Sequence, residues 1–189
     1  MKMPDLSDSL TGAKNLLGWE LVHHTPEGTA GGIIIETEAY HQDDEASHSY
    51  RGETKRTAPM FQSSGHLYVY FTYGMHWCLN FVTGDAGNGQ GVLIRALLPT
   101  RGIELMATRR STNVFSRLTP GPATITQALA VPPNYTGKHI SETTIELLPP
   151  KKVITDIKTS GRIGIKKATD KQWRFFIDPD SLGVSRSVE

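Results

Sequence analysis

The sequence predicts an α+β fold, one domain over residues 1–189 in which a curved antiparallel β-sheet is flanked by a few helices. Three observations carry this. Apolar runs of strand length recur along the chain with short turns between them. A few stretches have helical periodicity and recognisable start signals. No internal repeat, low-complexity tract or long linker divides the chain.

Taken in order, Ser7 or Ser9 can cap a short amphipathic helix running through Ala13, Leu16, Leu17 and Leu21. A glycine-punctuated turn from His24 to Gly32 leads into a strand at 33–40, IIIETEAY. A polar loop follows at 41–65, with Arg51, Lys55 and Arg56 in its middle. Strands at 66–73, 76–83 and 91–98 are joined by Gly74-Met75 and by the loop 85–90, which makes an antiparallel meander. Residues 101–110 and 122–130 read as helices, the second opening with Pro120-Gly121-Pro122. Short strands at 143–148, 153–159 and 173–177 complete the pattern.

Composition narrows the class. The chain is 38% hydrophobic and 21% charged, as expected of a domain with a real core. No stretch approaches the roughly 18 apolar residues of a membrane span. The segment MKMPDLSDSL lacks the apolar region of a signal peptide, so a cytoplasmic protein is expected. Cys78 is the sole cysteine, which excludes an internal disulfide and a multi-cysteine zinc site. The net charge of +1 hides an uneven distribution: residues 1–48 hold two of the 20 basic and nine of the 19 acidic residues, leaving 18 against 10 in the rest. Segment 151–167 has six basic residues and Asp156 alone as acid. Two readings are open: one face meets a polyanion, or the lysines merely solvate strand edges.

The candidate chemistry begins in strand 33–40. Alternation puts Glu36, Glu38 and Tyr40 on one face, with Ile33, Ile35 and Ala39 on the other. A buried unpaired carboxylate is costly and often serves as a general base. Pairing with basic residues at a sheet edge is the simpler account of Glu36, while Glu38 stays undecided. Asp44 and His48, four apart, could form a metal pair, a hydrogen-bonded loop pair, or a histidine that contacts a bound base. The metal option is weak, because no HExxH or cysteine cluster accompanies them.

In the aromatic strand, Leu67, Val69 and Phe71 can face a core while Tyr68 and Tyr70 face away. Most aromatic stripes are packing, but tyrosines beside an acid, a histidine and basic loops also form base-stacking platforms. Tyr73 falls at a turn, where a core role has little support. Asn80 and Arg95 are polar intruders between apolar neighbours.

These residues closely resemble the alkyladenine (3-methyladenine) DNA glycosylase family in its short bacterial form. The motifs are ETEAY, DEASHSYRG, LYVYFTYGMHWCLN, VLIRAL, the GP and QALA of 121–130, and RIGI, RFF and VSR near the end. They run from about Leu16 to the C-terminus. The resemblance implies a monofunctional enzyme of base excision repair that flips alkylated or deaminated purines from duplex DNA and hydrolyses their glycosidic bonds. It implies that Glu38 activates the attacking water, with Arg95 helping to position water or sugar. It further implies a base pocket from Tyr40, His48 and Tyr70, with Asn80 clashing with the 2-amino group of guanine. Tyr73 would be the wedge that fills the emptied stack. Neither metal nor other cofactor is implied, and a monomer acting on DNA at the nucleoid, away from membranes, is expected. No lysine lies in the pocket motifs before Lys55, which favours hydrolysis over a Schiff-base step.

Three departures stand out: the variable loop at 51–59, the Ala123-Thr124 pair where a basic residue occurs in some relatives, and a short N-terminus. A non-enzymatic nucleic-acid-binding β-domain and a metal-dependent hydrolase built on Asp44 and His48 are the alternatives.

Overall fold

The computed structural model describes residues 3–72 and 74–183. Helix α1, Ser9–Asn15, is capped by Asp8, whose Oδ1 accepts from the Leu10 and Thr11 amides at 2.8 and 2.9 Å. The cap is therefore Asp8 rather than Ser7 or Ser9. The helix stops well before Leu21, because the chain turns at Gly18 (φ +82°) and enters strand β1, Glu20–Thr25. The expected turn from His24 to Gly32 is also much shorter. Pro26 and Glu27 make it, and Gly28–Tyr40 forms one long strand, β2. Gly32 lies inside β2 because a Cβ there would come within 2.6 Å of Leu98 O on the neighbouring strand.

The meander appears as expected: β3 (Leu67–Thr72), β4 (His76–Val82) and β5 (Gly91–Arg101) pair antiparallel in turn. Helices α2 (Ile103–Arg110) and α3 (Pro122–Leu129) follow, and then β6 (Ile145–Leu148), β7 (Lys158–Ser160) and β8 (Arg174–Phe176). The sheet runs β3-β4-β5-β2-β1-β6, with β8 pairing β2 beyond the end of β1 and β7 pairing β8. This is the α+β fold with a curled antiparallel sheet that the sequence predicts.

Alternation along the central strands divides the sheet into two faces. Leu67, Val69, Leu79, Phe81, Val92 and Ile94 join the main core with the helices. Tyr68, Tyr70, Cys78, Asn80, Leu93 and Arg95 face the other way. The alternation breaks at one place. Ile34 pairs Leu97 and Thr37 pairs Ile94, but Ile35 and Arg95 fall out of the ladder between them. This double bulge flips both strands, so Ile34 and Thr37 are fully buried while Ile33 and Ile35 are only partly so. The expectation that one unbroken alternation sets Ile33 and Ile35 on the face of Ala39 fails at this bulge, which puts Ile34 in the core while Ile35 packs against it from a partly buried position. Among the described residues, no helix is long and apolar enough to cross a membrane.

Candidate active site

The strand register builds the site directly. Tyr68 pairs Asn80, Asn80 pairs Leu93, and Leu93 pairs Glu38, so these four stand in one row across β3, β4, β5 and β2. With strands about 4.8 Å apart, the row spans on the order of 14 Å. It floors a cleft of about 610 Å³.

Glu38 is wholly buried at one end of the row. Its Oε1 accepts from the Ile163 amide at 2.8 Å and lies 3.4 Å from Arg95 Nη1, and its Oε2 accepts from the Tyr40 hydroxyl at 2.8 Å. A ring of donors suits an acceptor-only carboxylate. Glu36 pairs with basic residues, as expected: Arg95 Nε and Arg174 Nε both donate to its Oε1, at 3.0 and 2.6 Å. The bulge on β5 aims Arg95 between the two acids.

The cleft wall is aromatic. Tyr68 and Tyr70 stack with centroids 5.3 Å apart, and His48 meets Tyr70 edge-on at 4.7 Å. His48 Nδ1 shares a 3.1 Å hydrogen bond with the Tyr68 hydroxyl. Asn80 Nδ2 donates to Tyr68 O at 3.0 Å, which fixes the amide in the wall. Burial pushes the Tyr40 hydroxyl well above its ordinary range, helped by the Glu38 charge, so the proton of the Tyr40–Glu38 bond stays on Tyr40. Burial likewise raises Tyr70, and it raises the Cys78 thiol, which stays protonated beneath the tyrosines. Burial, with the Arg56 charge second, holds the His48 imidazole below its usual value and hence neutral.

Glu38, Tyr40, His48, Tyr70, Asn80 and Arg95 thus all meet in one cleft. Tyr73 lies outside the described residues, as does the terminal VSR; its flanking hairpin exposes Phe71 (45%) and Met75 (69%). Phe71 therefore lies on the surface against Trp77, contrary to the core role alternation gave it. Asp44 and His48 do not form a pair. Asp44 is buried against Arg162 and Lys171, while His48 bonds Tyr68. Burial opposes the Asp44 charge most strongly of any single cause, but the Arg162 hydrogen bond, the Ala46 amide and the Arg162 and Lys171 charges together outweigh it and hold this carboxyl below the usual range. Among the described residues, no three His, Cys, Asp or Glu gather into a metal-binding group.

Sequence reasoning missed Arg162 and the Ile163 amide, which reach the site from more than a hundred residues away. It found no lysine in the pocket motifs before Lys55, which holds, but Lys166 and Lys167 from the later basic run line the cleft. The signals were the basic run 151–167 and the RIGI motif at 162–165, and neither says where that segment folds. Thr124, the departure noted after Gly121, caps α3: its hydroxyl accepts from the Gly121 amide at 2.9 Å and donates to Gly121 O at 2.6 Å.

A buried carboxylate ringed by donors, at the foot of stacked tyrosines, defines a site for a flat heteroaromatic ring. Comparison with known proteins makes this specific. Over residues 5–181 the chain matches the model of methylpurine-DNA glycosylases, and it belongs to that family of DNA-repair glycosylases. Relatives named "Putative 3-methyladenine DNA glycosylase" include one from Agrobacterium fabrum, 43% identical over 96% of this chain and 90% of its own length. Another, from Methanoculleus marisnigri, is 44% identical over 90% of both chains. A third, from Francisella tularensis, is 43% identical over 94% of both.

Proposed function

We propose that this protein releases damaged purines from duplex DNA by hydrolysing the bond between base and deoxyribose, with Glu38 activating the water. The carrying observation is the Glu38 carboxylate, buried and held by Ile163 N–H, Tyr40 O–H and Arg95 at the floor of an aromatic cleft. Water oxygen bonds to C1′, the glycosidic bond breaks toward the base, and Glu38 takes the proton. For 3-methyladenine or 7-methylguanine the positive ring leaves as a neutral base. The faces of Tyr40 and Tyr70 attract such a ring, and His48 presents an uncharged edge to it. Hypoxanthine and ethenoadenine complete the expected substrates. Asn80 narrows the floor against the 2-amino group of guanine, Arg95 orients water or sugar, and Tyr73 fills the emptied stack.

Arg56, Lys166 and Lys167 give the mouth of the cleft a positive rim suited to phosphates. Water rather than lysine is the nucleophile in this reading. The acid sits at the floor, whereas Lys167 sits at the rim, 3.4 Å from Glu45. The protein acts as a monomer.

The test is free-base release from duplexes carrying each lesion, with borohydride added to trap any Schiff base. Release without a covalent adduct is expected, at an affinity that falls steeply with salt. Binding without release would leave a nucleic-acid-binding domain instead, and a trapped adduct would transfer the chemistry to a lysine.

A further inference from the structure

Arg162 and Asp44 form an ion pair whose two side chains are fully buried. Arg162 Nη1 donates to Asp44 Oδ2 and to Ala39 O (2.9 Å), and Nη2 donates to Asp44 Oδ1 at 3.0 Å. The guanidinium lies 4.7 Å from the Tyr40 ring centre and 5.3 Å from that of Trp173. Burying two charges is expensive, and such a pair is a poor source of stability in itself. Arg162 is also turned inward, so it cannot contribute to a DNA-facing charge despite its place in the basic run. Its position relative to Glu38 explains what the pair does. The next amide in the chain, Ile163 N–H, donates to Glu38 Oε1, and the ring on which Arg162 stacks donates to Oε2. Two of the three groups that hold the carboxylate are thus fixed through one guanidinium, Arg95 being the third, and Asp44 fixes that guanidinium.

The geometry points to Asp44 and Arg162 as positioning residues that set the orientation of Glu38 without touching the substrate. This rests on the glycosylase reading above only for its kinetic consequence. The structural part, that the pair holds Ile163 N–H on Glu38, stands separately. The pair joins the loop after β2 to the segment between β7 and β8, so a small relaxation there moves the carboxylate relative to its water. Misplacement of about 1 Å costs on the order of 10²-fold in rate.

The experiment uses the whole chain with Asp44→Asn, Arg162→Gln and Arg162→Lys, and makes two measurements. Amide exchange by NMR should show Ile163 N–H protected in the wild type. Its exchange should be at least about tenfold faster in Asp44→Asn and Arg162→Gln, with amides of β3 and β4 unchanged. Single-turnover base release should fall about 10–100-fold in the same variants at unchanged DNA affinity, with Arg162→Lys between them and wild type. In a Glu38→Gln background, Arg162→Gln should add less than about a twofold further loss, because it acts through Glu38.

Wild-type exchange at Ile163 in a folded variant overturns the proposal, as does a rise in exchange across the whole sheet. So does a multiplicative loss in the Glu38→Gln background. Failure of all three variants to fold overturns it too, since the pair then belongs to the fold and not to the site. If no protein releases base while Ile163 exchange still responds, the glycosylase reading fails and the positioning of Glu38 stands.

Discussion

Replacing Glu36 by glutamine removes one negative charge and leaves two guanidiniums against a neutral amide. Arg95 and Arg174 both donate to Glu36 Oε1, and the three side chains are 14%, 22% and 17% exposed in that order. Exposed ion pairs contribute about 0–1 kcal/mol, while breaking a fully buried one costs about 3–5 kcal/mol. Partners remain for each arginine: Glu38 lies 3.4 Å from Arg95 Nη1, and Arg174 donates to Ser160 Oγ at 2.9 Å. The glutamine carbonyl can still accept one of the two bonds. The cost therefore falls near the middle of the range, at about 2 kcal/mol. For a domain of this length that corresponds to a fall in Tm of about 4–8 °C. Thermal unfolding followed by circular dichroism, with a urea series for the free energy, measures it. A Tm within about 1 °C of the wild type would refute the view that Glu36 is the structural acid of the two.

Three further outcomes follow from the same geometry. Asn80→Ala removes the amide that crowds the floor, so discrimination between hypoxanthine, which lacks the 2-amino group, and unmodified guanine should fall about tenfold or more in a competitive release assay; undiminished discrimination removes Asn80 from the selectivity account. Burial, with Arg109 and His24 adding to it, holds His23 below its ordinary pKa, and its Nδ1 lies 2.7 Å from Leu129 O. The unfolded chain then binds the extra proton, so this stability is complete above the ordinary histidine value of about 6.5 and is lost as pH falls below it. Urea midpoints should drop on acidification through that window and flatten in His23→Gln; midpoints that rise would contradict the assignment. Thr124→Ala should cost about 1 kcal/mol as a lost cap while leaving the salt dependence of DNA affinity unchanged; a smaller salt slope would mean that Thr124 reaches a phosphate.

The parts of the site that lie on neighbouring strands were legible because period-two alternation is local. Glu38 and Tyr40 share a face by spacing, and Tyr68, Tyr70, Asn80 and Arg95 break the apolar face by the same rule. What alternation cannot show is a bulge. Nothing in the residues 33–36 says that Ile35 leaves the ladder, so alternation set Ile33 and Ile35, rather than Ile34, on the face of Ala39. Glycine misled in the same way, because Gly31 and Gly32 read as a turn while they serve a close approach of strands within β2. The roles of Arg162 and Ile163, although both stand in the RIGI motif, and of Lys166 were invisible for another reason. They join the site through long-range pairing, and a basic run offers no hint of which member turns inward. The family resemblance supplied roles for the first group but was silent on the Asp44–Arg162 pair, which replaced the metal option for Asp44.

The central claim is that Glu38 does the chemistry and Glu36 does not. Glu38→Gln keeps an oxygen for Ile163 N–H and leaves an amide beside a Tyr40 hydroxyl that can rotate to accept, so the fold should survive. Single-turnover release of 3-methyladenine under saturating protein tests the claim most directly. A rate about 10²–10⁴-fold below wild type is expected, with damaged-DNA affinity retained. A rate within about twofold of wild type, in a protein that still binds, would contradict it.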